Sequence, residues 1–163
     1  RNMESLLARG KALKEEGLTV YLCTGSYGYP SVTLTGDIRK DIMFVEEIIG
    51  VKLALSDHRA PNVTLDELVR LASDARVAGM LSGKCGMITL HMGSDDRTLS
   101  LVEQALETTS IPIKIFHPTH VTRSRKLMAL IGLVALLTGY VMDVTIQNPV
   151  TALSTFFIAV ILI

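Results

Sequence analysis

Three side chains in this sequence have the types and spacing to hold and use a metal ion: Lys52, His91 and His120. Lys52 interrupts an apolar run, Val51-Lys52-Leu53-Ala54-Leu55, that ends in the polar cluster Ser56-Asp57-His58-Arg59. If that run is a strand buried on both faces, the ammonium loses its water, its pKa falls and a neutral nucleophilic amine results. Such an amine can react with carbon dioxide to give a carbamate, an anionic oxygen ligand able to bridge two metal ions. A lysine that snorkels from a strand end to solvent fits the same local sequence. Neutral imidazoles at His91 and His120 suit zinc, although either histidine alone reads as structural or solvated. Together the three form a set at successive strand ends. A hydroxide bridging two such metals would be nucleophilic at neutral pH and could attack a peptide carbonyl.

The elements that must position this set follow from hydrophobic periodicity. Residues 3–16 place Leu6, Leu7, Ala12 and Leu13 on one face and Glu4, Arg9, Lys11, Lys14 and Glu15 on the other, with Gly17 as a stop, which predicts an amphipathic helix. Thr19 to Thr24 is rich in β-branched and aromatic residues and reads as a strand running into the loop Gly25-Ser26-Tyr27-Gly28. A helix over 37–49 closed by Gly50, a strand over 51–55 and a capping box at Thr64-Leu65-Asp66-Glu67 opening a helix to about Ala78 come next. A strand over 87–91, a helix over 98–107 and a strand over 111–116 ending at Pro118-Thr119-His120 complete the series.

Strands alternating with helices predict parallel βαβ units, and four strands in about 100 residues is the pace of a (β/α)8 barrel. In such a barrel the chemistry collects at the C-terminal strand ends, which here carry Tyr27, residues 56–59, His91 and His120. A doubly wound open sheet gives the same local pattern, but no GxGxxG follows a strand.

Composition bounds the rest. A chain of 163 residues with 16 basic and 16 acidic side chains has no net charge, which argues against a nucleic-acid partner held by phosphate neutralisation. Cys23 and Cys85 are too far apart for a CxxC, so a reducing compartment fits best. All 16 basic residues lie within 1–126, and Asp143 is the one charge in the last 37 positions. Soluble-type sequence therefore gives way to apolar sequence within one chain.

Several segments in register, Thr24-Gly25-Ser26-Tyr27, Val32-Thr33-Leu34-Thr35-Gly36, Val51-Lys52 through Arg59, Leu81-Ser82-Gly83-Lys84, His91-Met92-Gly93 and Pro118-Thr119-His120-Val121, resemble the isoaspartyl (β-aspartyl) dipeptidases of the amidohydrolase superfamily. The likeness runs in order over residues 1 to about 123. It implies an α/β fold, part of a TIM-type (β/α)8 barrel with about four βα units, and a binuclear-zinc peptidase that cleaves β-aspartyl dipeptides by attack of a metal-bridging hydroxide. Lys52 matches the carboxylated bridging lysine, and His91 and His120 match ligands of the second metal. Tyr27 matches the tyrosine that polarises the scissile carbonyl. Arg59 and Arg123 match arginines that hold substrate carboxylate, a task suited to the guanidinium fork. Asp57 and His58 belong to the motif without a catalytic role, and His117 has no counterpart.

The family's first-strand HxH pair, its substrate-binding glutamate and the metal-ligating aspartate of its last strand have no match in this chain. A complete barrel takes about 250 residues, of which 1–123 would supply roughly half. The expectation is a partial barrel over 1–123 that holds one zinc ion or none, takes a small dipeptide and is inactive alone. Oligomerisation stays open.

After Arg123 the family continues with an amphipathic helix and a strand, but residues 127–142 here carry no charge. Sixteen helical residues span about 24 Å, short of the ~30 Å hydrocarbon core but extendable by their flanks. Asn148-Pro149 would turn the chain into a second apolar run over 150–163. This predicts a transmembrane hairpin over 124–163, faintly resembling a segment of bacterial transporter permeases, with Arg123, Arg125 and Lys126 on the cytoplasmic side. The barrel part would then be cytoplasmic and membrane-associated through its tail. The competing reading keeps 127–145 as a barrel helix and strand, since Gly139 to Thr145 also resembles the family's next strand. A non-catalytic, membrane-anchored hybrid of two genes is the alternative function.

Overall fold

The computed structural model describes residues 2–60 and 63–146. Helix α1 (Met3–Glu15) is followed by β1 (Leu22–Gly25), α2 (Ile38–Phe44), β2 (Ile48–Leu55), α3 (Leu65–Ser82), β3 (Met87–Met92), α4 (Ser100–Thr108), β4 (Phe116–Thr119) and α5 (Arg125–Ile146). The four strands form one parallel sheet in the order β1-β2-β3-β4, each laid beside its predecessor. That sequential order is the order of a barrel segment and differs from the reversed order of a doubly wound sheet.

Strand alternation sorts the side chains into two faces. Val51, Leu53, Ile88 and Leu90 point to the helical side, where they are fully buried with Leu68, Leu71, Ala72 and Ala75 of α3. The opposite face carries Lys52, Ala54, Thr89 and His91. Register aligns Gly25, Lys52, Thr89 and His117 in one row, and Ala54, His91 and Thr119 in the row above. Lys52 is therefore half-buried on the face away from the helices, not enclosed on both faces as its apolar neighbours suggest.

Local chemistry explains most element ends. The Thr64 capping box is present: the Glu67 amide donates to Thr64 Oγ1 at 3.3 Å and the Thr64 amide to Glu67 Oε2 at 2.8 Å. Several boundaries differ from expectation: β1 begins at Leu22 rather than Thr19, α3 runs on to Ser82, and three further departures have a visible cause. Helix α2 stops at Phe44, and Ile48 and Ile49 join β2, because the Lys84 ammonium reaches across from the α3–β3 connection. Its Nζ donates to the carbonyls of Ile42 (2.6 Å), Val45 (2.6 Å) and Ile48 (3.1 Å). Gly50, expected to end a helix, lies inside β2, where a Cβ would stand 2.4 Å from the Met87 carbonyl oxygen. The fourth strand starts at Phe116, since Ile113–Ile115 form a 3-10 turn behind Pro112, which offers no amide to a ladder.

The tail also departs from its expectations. Residues 139–145 are helical, which rules out the strand proposed for them. Leu127, Ile131 and Ala135, four apart, turn one face of α5 to the protein: Leu127 is in the buried core, Ile131 packs against it and Ala135 is buried. Among the described residues no helix is long and apolar enough to cross a membrane, so the transmembrane hairpin and the permease resemblance find no support. The turn at Asn148-Pro149 and the run 150–163 lie outside the described residues.

Candidate functional site

The groups with chemistry sit at the C-terminal ends of the parallel strands, and their common centre is the His91 imidazole. His91 lies near the end of β3, with a side chain only 6% exposed. Tyr27, in the loop after β1, stacks on it with ring centroids 4.5 Å apart and its hydroxyl 3.3 Å from Nε2. His120, just beyond β4, meets the same ring edge-on at 4.5 Å. Arg59 Nη2 and Arg123 Nη1 each approach His91 Nε2 at 2.8 Å. A guanidinium only donates, so Nε2 accepts and the imidazole proton resides on Nδ1. Lys52 joins from the row below, its Nζ 5.3 Å from the centre of the Tyr27 ring, and Arg59 lies 5.1 Å over the same ring.

Electrostatics favour a neutral His91. Burial lowers its pKa most, and the electrostatic influence of His120, Arg123, Lys52 and Arg59 pushes it further down. A neutral imidazole is the form that ligates metal, and Nε2 could do so only with the two arginines turned away from its lone pair. Asp57 is the counterweight: hydrogen bonds from Arg59 hold its carboxyl far below the usual carboxylate range, and Asp57 in turn raises Arg59.

Backbone conformation is unusual at the same spots. Ser56 and His120 are non-glycine residues with φ of 54° and 59°. Left-handed residues cost of order 1 kcal/mol and persist where surroundings over-determine them. Ser56 is held by its hydroxyl, which donates to the Thr98 carbonyl at 2.8 Å, and by its own carbonyl, which accepts from the Asp95 amide at 3.1 Å. Gly93 lies beneath, where a Cβ would stand 2.1 Å from the Ser56 oxygen. A hollow of about 250 Å³ opens between Asp57, His58, Arg59, Gly93, Ser94 and Arg123.

All six residues singled out from sequence thus reach one mouth: Tyr27, Arg59, His120 and Arg123 touch His91, and Lys52 borders Tyr27. His117 falls in the lower row beside Thr89 and touches none of them in the described contacts. Two residues escaped sequence reasoning. Asp57 proves to be a buried partner of Arg59. Asp41, on α2, fixes the loop that carries Tyr27: it accepts from Thr24 Oγ1 (2.5 Å), the Leu34 and Thr35 amides (2.8 Å each) and Thr35 Oγ1 (2.7 Å). A lone Asp in a predicted helix gives no signal of this, although the threonines around it are a hint.

As a metal site the donor set is partial. His91 and His120 offer imidazole nitrogens and Lys52 its Nζ, but among the described residues no three His, Cys, Asp or Glu side chains are grouped to hold an ion. A catalytic zinc takes three protein ligands of this kind.

No protein-family model matches the chain. Among solved structures, the β-aspartyl dipeptidase of the thermophilic keratin-degrading Fervidobacterium islandicum AW-1, in complex with a β-Asp-Leu dipeptide, is 44% identical with a TM-score of 0.79, over 83% of this chain and 37% of that one. A second structure of the F. islandicum dipeptidase gives the same values. This chain therefore spans little more than a third of the length of the proteins it matches. Identity at that level over most of the chain carries the likeness beyond a shared fold, and it is a likeness to part of a hydrolase, a β-aspartyl dipeptidase.

Proposed function

We propose that this chain provides the carbonyl-polarising and carboxylate-binding side of an isoaspartyl dipeptidase site. The observation that carries this reading is the convergence of Tyr27, Arg59, His120 and Arg123 on His91 at the strand ends of a sheet similar to a β-aspartyl dipeptidase. In it, Tyr27 donates its hydroxyl proton as a hydrogen bond to the oxygen of the scissile carbonyl, where negative charge develops. Arg59 and Arg123 grip carboxylate groups of a β-aspartyl dipeptide from the two sides of the hollow, fixing the amide bond beside Tyr27. His91, His120 and Lys52, the last as a carbamate, would hold zinc. When bound, zinc supplies Lewis-acid activation of water and carbonyl.

The donor set is short of a bridging pair of ions, so the chain by itself is expected to bind substrate without turning it over. Calorimetry with zinc present should detect β-Asp-Leu binding that weakens about tenfold or more in Arg123→Ala. Equal binding by the variant would refute the arginine assignment. Release of leucine by the purified chain, abolished in Lys52→Ala, would refute the expected inactivity.

A further inference from the structure

Asp57 and Arg59 form a tight local clip. Asp57 Oδ1 accepts from the Arg59 amide and from Nε, both at 2.9 Å, and Oδ2 accepts from Nη2 at 2.6 Å. The carboxylate is 1% exposed while the guanidinium it holds is 43% exposed. An identical clip occurs once more, between Asp95 and Arg97, with the same three distances. There the side chains are 34% and 56% exposed. The same three-residue pattern has therefore been built twice, once on the surface and once buried beside Tyr27 and His91.

The buried copy is fixed from below. Left-handed Ser56 is held by hydrogen bonds to Thr98 and Asp95, and the Ser56–Asp57 backbone packs so closely on Gly93 that a Cβ there would clash. Through Asp57 that rigidity passes to Arg59, whose side chain would otherwise sample many rotamers. The clip occupies the Nε–Nη2 edge of the fork, and the two N–H groups of Nη1 lie at its other end. Arg59 also lines the 250 Å³ hollow that it shares with Arg123.

We propose that Asp57 is a positioning residue that holds the Arg59 fork in the orientation presenting Nη1 to a substrate carboxylate, and so sets the preference for the free acid over its amide. The inference rests on the reading that Arg59 binds carboxylate. The probes are β-Asp-Leu and its two mono-amides, with binding to the full chain measured calorimetrically. The relevant amide is the one whose penalty disappears in Arg59→Met, which removes the charge. Unmodified protein should bind it about tenfold or more weakly than the acid. Asp57→Asn should erase that ratio, and Asp95→Asn should preserve it. A purely structural role would weaken acid and amide alike and leave the ratio standing, which would overturn the proposal. If unmodified protein discriminates against neither amide, the Arg59 reading itself fails and the proposal falls with it. A second measurement needs no variant: by NMR, the Arg59 Nε–H should exchange with solvent about tenfold or more slowly than that of Arg97, and equal rates would refute a rigid buried clip.

Discussion

Replacing Asp41 tests whether the Tyr27 loop is held by one buried carboxylate. Asp41 is fully buried and every group around it donates: two hydroxyls and two amides, at 2.5–2.8 Å. In Asp41→Ala the hydroxyls have substitutes nearby, since Thr24 Oγ1 already lies 3.3 Å from the Val32 carbonyl and Thr35 Oγ1 3.1 Å from that of Asp37. The Leu34 and Thr35 amides have none. Leu34 is half-buried and Thr35 exposed, so water can satisfy the Thr35 amide, and the half-buried Leu34 amide left unsatisfied gives a loss of roughly 1–3 kcal/mol. Against a total stability of about 5–15 kcal/mol this is a large fraction. In Asp41→Asn one oxygen still accepts while the amide nitrogen faces a donor, so an intermediate loss is expected. The assay is urea unfolding followed by circular dichroism, with the slope checked for constancy. A loss below about 1 kcal/mol in Asp41→Ala at unchanged slope would show that water replaces the carboxylate, and the proposed anchoring of the loop would fail.

Lys84→Met should destabilise by about 2–4 kcal/mol, because it frees three carbonyls from an ammonium and leaves the end of α2 without its tether; a thermal midpoint unchanged from the parent would refute the clamp. Acid should also destabilise. Asp37, Glu47, Asp57 and Asp95 all have folded pKa values below their ordinary ones, Asp95 at about 2, so each contributes stability that is full above the ordinary carboxylate pKa and is lost as pH falls from there through the depressed folded value. The urea midpoint should therefore drop as pH falls from the usual carboxylate pKa of about 4 to about 2, and a constant midpoint over that window would contradict the assigned shifts.

Sequence reasoning reached the strand ends because their signals are local. Period-2 and period-3.6 patterns mark βα units, the Thr64–Glu67 box marks a helix start, and the chemistry-bearing types follow each apolar run. It missed where α2 ends because Lys84 is 39 residues from the Val45 carbonyl it binds. It placed the fourth strand too early because Ile111 to Phe116 has strand-like residues but a proline that diverts it into a turn. In the tail, an uncharged stretch looked lipid-facing, yet Leu127, Ile131 and Ala135 face protein; hydropathy alone cannot tell a buried apolar face from a lipid-exposed one.

The sequence by itself determined that strands and helices alternate, and which side chains near the strand ends could bind metal, carbonyl or carboxylate, because these depend on side-chain type and short-range pattern. Only the tertiary structure decided that His91 is the centre, that two arginines and a tyrosine meet there, and that Asp41 and Asp57 hold them. Those contacts join residues up to 64 positions apart, and parallel register, not local propensity, brings them within hydrogen-bonding distance.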